Sequence, residues 1–86
     1  MITKIKARGH MVEITSDEHG PQLISRREAL VRAQAVLGMD RDSEWLCEAL
    51  INAANEAKIN EDGKGYSSAN LELWKSTAAE EARKAH

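Results

Sequence analysis

Several stretches of this chain gather residue types that do chemistry elsewhere. Asn60-Glu61-Asp62-Gly63-Lys64-Gly65 has the oxygen-bearing side chains and the turn glycine of a calcium loop. Counted from Asn60, an EF-hand loop would use Asn60 and Asp62 as ligands and Gly65 at its sharp turn. The fifth position, however, is Lys64, a cation where a ligand oxygen belongs. The eighth is Ser67, and the twelfth is Leu71, where a bidentate Glu is needed. This stretch reads as a solvated turn between helices. Ser16-Asp17-Glu18-His19 puts a nucleophile, two acids and a base side by side. Catalysis needs such groups to converge in a cleft, which neighbours along an exposed turn rarely do. His10, His19, His86 and Cys47 lack any metal-ligand spacing, such as i,i+4 on a helix. Cys47 falls on an apolar helical face and reads as a small core residue. The expectation is a protein that is not an enzyme, with no metal and no cofactor.

Charge supplies two further candidates. Lys4, Lys6 and Arg8 alternate along one face of the first predicted strand, and Arg26, Arg27 and Arg32 follow in the next helix. A patch built from Lys4, Lys6, Arg8, Arg26 and Arg27 could meet the phosphates of a nucleic acid. Alternating lysines also protect a strand edge against sheet-to-sheet association. In its order of basic strand, Gly turn and apolar strand, the stretch 4–14 resembles the hairpin of swapped-hairpin DNA-binding regulators and antitoxins. The resemblance covers about a dozen positions. It lacks the proline that usually follows the second strand of those proteins, and their helical half has no counterpart here.

The second candidate is acidic. The stretch 43–59 is the longest uninterrupted run with a helical period. At about 100° per residue, Leu46, Cys47, Ala49, Leu50, Ala53, Ala54 and Ala57 share one face. Glu44, Glu48, Asn52, Asn55 and Glu56 occupy the other, with Trp45 at the margin. Trp is enriched where partners anchor, so this face is the candidate protein-binding surface.

The elements that must position these residues follow from turns and caps. Residues 2–16 read as a β-hairpin turning at Gly9-His10, a two-residue loop with Gly first. That loop pairs positions summing to nineteen: Ile5 with Ile14, Ala7 with Val12, Lys6 with Glu13, Lys4 with Thr15. The apolar residues switch parity across the turn, as the register demands. Gly9-His10-Met11 also matches the remnant of a cloning site, with Met11 as the natural start, but the cross-strand match favours a hairpin. Gln22-Leu23-Ile24 has scope for a short third strand, which Pro21 confines to an edge or a strand start. Ser25 and Glu28 form a capping box for a helix with Ala29, Leu30, Ala33, Val36 and Leu37 on one arc and Gly38 at its end. Asp42 or Ser43 caps the next helix, which breaks after Ile59. A last helix is expected from about Ser67 or Ser68, with Leu71, Trp74, Ala78, Ala82 and Ala85 as its stripe.

The reading is thus an α+β fold, an N-terminal β-hairpin with a possible third short strand followed by three helices. It forms one small domain over 1–86, with the hairpin region at 2–24 and the helical region at 25–86. At 86 residues with 42% apolar content the core is thin, because thirteen of the apolar residues are Ala and there is no Phe. A thin core favours a homodimer or a partner that completes it. One Cys excludes an internal disulfide, and no apolar run reaches membrane-spanning length. The expected setting is the cytoplasm. The function expected is that of a small accessory or regulatory protein acting by protein–protein interaction, able to inhibit a basic macromolecular target. The alternative is a nucleic-acid-binding regulator using the basic hairpin with Arg26 and Arg27.

Overall fold

Gly9 adopts φ 61°, while among the described residues no non-glycine residue has positive φ, so the loop at Gly9-His10 has the glycine-first geometry its sequence requires. The strands it joins, β1 (Ile2–Arg8) and β2 (Met11–Ser16), pair antiparallel. Lys4 lies opposite Thr15, Ile5 opposite Ile14, Lys6 opposite Glu13 and Ala7 opposite Val12, with an irregularity only between Ile2 and Lys4. The expected register is the observed one. A computed structural model supplies this architecture and describes residues 1–36 and 43–67.

The third strand, β3 (Gly20–Ile24), pairs antiparallel with β2, giving the order β1-β2-β3 with β2 in the centre. Pro21 lies on the edge strand opposite Thr15, where the lost N–H removes nothing the sheet needs. Two helices follow, α1 (Arg26–Val36) and α2 (Glu44–Asp62). Among the described residues the architecture is α+β, a three-stranded antiparallel sheet followed by these two helices. The expected third helix, like Leu37, Gly38 and Asp42, lies outside the described residues.

The helices cover one face of the sheet. Val12, Ile14 and Ile24 from the strands meet Ala29 and Ala33 of α1 and Cys47, Leu50, Ile51, Ala53, Ala54 and Ala57 of α2. The expected dry face of α2 is buried, except that Leu46 and Ala49 are half-buried and Ile51 joins it. The dry arc is wider than the sequence suggests because α2 packs against α1 as well as against β1 and β2. Both buried residues of α1 and three of the six buried residues of α2 are alanine, and such small side chains let helix backbones approach closely.

Two local expectations are corrected. Only one half of the capping box is seen: the Glu28 N–H donates to Ser25 Oγ at 3.1 Å, while the Glu28 carboxylate turns to Arg32 at 3.3 Å. Furthermore, α2 does not break after Ile59 but continues through Asp62. Acidic residues disfavour a helix C-terminus, yet here Arg26 pairs with Glu61 and Lys58 with Asp62. Gly63, at φ 77°, then ends the helix in the left-handed conformation, and its N–H donates to the Ile59 carbonyl at 2.8 Å.

Candidate functional site

The acidic face of α2 is the broadest candidate surface. Glu44, Glu48, Asn52 and Glu56 are exposed, and among the described residues none of the three carboxylates has an ion-pair partner. Trp45 is 48% exposed and Ile59 45% exposed. At about 100° per residue both fall within the exposed arc, Trp45 near Asn52 and Ile59 near Glu48. Trp45 is therefore exposed on the same side as the glutamates, towards the edge of the arc that ends at the half-buried Ala49. Asn55 serves the fold instead. It is half-buried, and its Oδ1 accepts the Tyr66 N–H at 2.7 Å. That bond holds the chain leaving α2.

The basic row on β1 projects from the sheet face opposite the helices. Glu13 on β2 stands among these cations, 8% exposed, with Arg8 Nη1 at 3.0 Å from Oε1 and Lys6 Nζ at 3.5 Å from Oε2. One carboxylate thus cancels part of the row's charge. Cross-strand pairing predicts the Lys6 contact; the alternation carries no sign of the diagonal reach of Arg8.

Arg26 and Arg27 stand apart from that row, at the start of α1. With His10, Met11 and Ser25 they line an open hollow of about 290 Å³ between the hairpin turn and α1. Arg26 is held by Glu61 through Nη2, while its Nη1 is buried with no hydrogen-bond partner among the described residues. An unmet buried donor costs about 1–3 kcal/mol. The hairpin turn is fixed by Asn60 Nδ2, which donates to the Gly9 carbonyl at 2.9 Å. These two long-range ties bring the hairpin turn, the start of α1 and the end of α2 to one place. Residues 51 positions apart carry no local signal of such a contact.

The remaining chemistry-bearing stretches are used internally. Asp62 Oδ1 accepts the N–H groups of Lys64 at 2.9 Å and Gly65 at 3.4 Å, and Oδ2 takes Lys58. Its oxygens are engaged in closing α2, which takes in Asn60, Glu61 and Asp62, so the expected turn begins only at Gly63. At the other turn, Ser16 Oγ accepts the His19 N–H at 3.1 Å, and Glu18 pairs with the N-terminal amine. Among the described residues no group of His, Cys, Asp and Glu has the arrangement of a metal site, and no helix is long and apolar enough to cross a membrane. Cys47 is buried.

Asp62 gives a pH prediction. The Lys58 ammonium, then the Lys64 N–H, lower its carboxyl from 3.8 to about 2. A lowered pKa in the folded state means that folding favours the ionised form. The stabilisation is therefore complete above about 3.8 and is lost as pH falls from there through about 2. Carbon-detected NMR titration of the Asp62 carboxyl should place its midpoint well below that of an unstructured Asp, and Lys58→Ala should raise it.

What these features define is a helix-covered antiparallel sheet with one acidic and one basic surface on different elements. Comparison with known proteins finds no matching family model, no similar curated protein and no similar solved structure.

Proposed function

We propose that this protein is a non-catalytic accessory or regulatory domain that binds a basic macromolecular partner, most simply a protein, through the exposed face of α2. The observation that supports this reading is the exposed Trp45 among Glu44, Glu48 and Glu56, carboxylates with no ion pair among the described residues. Trp45 would supply the apolar anchor and a face for a partner's arginine. The glutamates would select a cationic surface and speed encounter. Asn52 adds a hydrogen-bonding group on the same arc, and occupation of a basic groove would inhibit the protein that carries it. The setting proposed is the cytoplasm.

The test is capture of binding proteins by the purified chain, repeated with Trp45→Ala and with Glu48→Lys. We expect one basic partner, retained by the native chain, whose affinity falls more than about tenfold with either variant, in keeping with an anchor position. Retention unchanged by both variants would remove this face from consideration. The face is a poor self-association surface, because a two-fold axis would bring its glutamates towards their own copies. The homodimer expected from the thin core would need another surface, and light scattering at low and high salt tests it. Nucleic-acid binding through Lys4, Lys6 and Arg8 has less support, since Glu13 is set among them.

A further inference from the structure

We infer that the hollow between the hairpin turn and the start of α1 binds a phosphate group, carried by a small phosphate ester. Arg26, Arg27 and His10 line it, brought together from two segments of the chain, with Ser25 and the apolar Met11 completing the wall. Among the described residues the only carboxylate paired with this cluster is Glu61, which takes one end of the Arg26 guanidinium. The other end, Nη1, is buried and unpaired. Arg27 and His10 are exposed, and neither forms an ion pair among the described residues. The Nη1 nitrogen is shut away from solvent, so the positive charge the hollow presents is that of the exposed Arg27, with His10 beside it.

A tetrahedral anion suits such a place. A guanidinium presents its N–H groups in a planar fork that matches phosphate oxygens. The exposed Arg27 has that fork unpaired among the described residues, while Arg26 adds its charge from behind. Size narrows the choice further. A volume of about 290 Å³ lies at the lower limit of small-molecule sites and has room for a phosphate with a short organic portion. Met11 offers that portion an apolar contact. The tie from Asn60 to Gly9 and the Arg26–Glu61 pair fix the walls before any ligand arrives.

The test is a ¹⁵N-NMR titration of the full chain with inorganic phosphate and, separately, with glycerol 3-phosphate, at ionic strength held constant by chloride. Saturable shifts at His10, Met11, Arg26 and Arg27, with a Kd on the order of 1 mM or below, are expected for both. Arg27→Ala should weaken binding about tenfold, the loss of one charge-assisted contact. Arg27 is exposed and unpaired, so this variant separates binding from folding, which Arg26→Gln would disturb through Glu61. Three results would overturn the inference: no saturable shift at about fifty times that concentration, an equal response to chloride alone, or a response only to duplex DNA centred on Lys4, Lys6 and Arg8.

Discussion

Leu50→Ala should lower the free energy of unfolding by about 3–5 kcal/mol, read from the midpoint of urea denaturation followed by circular dichroism. Leu50 is 1% exposed and is among the largest fully buried side chains, with Ile51 and Val12. Its removal takes apolar contact from a core in which five of the eleven buried residues are alanine. Alanine cannot swing into a void, so the cavity would stay largely open and the cost would lie high in the usual range. A domain of this length has a total stability of only about 4–13 kcal/mol. Leu23→Ala is the control: Leu23 is 54% exposed on the edge strand and should change stability by less than about 0.5 kcal/mol. A Leu50→Ala loss as small as the control's would show that the core does not depend on this helix.

The second large effect is expected at Gly65, compared with Gly63. Both glycines have positive φ, 68° and 77°, so alanine at either position pays the left-handed penalty of about 1–2 kcal/mol. Their surroundings differ. A Cβ on Gly63 would meet nothing within 4 Å, whereas one on Gly65 would lie 2.8 Å from Ile59 Cγ1 and 2.9 Å from Asn55 Oδ1. Ile59 is half-exposed and can give way; Asn55 cannot move without releasing the Tyr66 N–H it holds. Gly65→Ala should therefore cost about 1 kcal/mol more than Gly63→Ala, the net worth of that hydrogen bond. Equal losses in paired denaturation curves would mean that Asn55 does not anchor the chain after α2.

What is legible in the sequence is local or periodic. Gly9 before His10 sets the hairpin loop, the loop sets the register, and the parity switch between Ile5 and Ile14 tells which side is dry. The dry face of α2 follows from its period. Ile51 escapes that reading because the sequence does not say that a helix will be covered from two directions. A break after Ile59 is wrong for a related reason: Arg26, on another helix, compensates Glu61 where the end of α2 would otherwise repel it. The acidic residues of the α2 face are visible in the period, but the anchoring role of Asn55 is not, since Tyr66 lies beyond the periodic segment. The hollow at Arg26 has no signature along the chain, because it exists only once the hairpin turn is docked on α2.

The alanines buried on α1 and α2 have a consequence for how this protein can evolve. Ala29, Ala33, Ala54 and Ala57 are 0% exposed and have no side-chain torsion to freeze, so burying them forfeits backbone freedom alone. Nearly every replacement at these sites adds bulk, and glycine would loosen the helix. Drift should consequently be pushed outward, onto the surfaces that meet other molecules, leaving the interior almost without neutral alternatives.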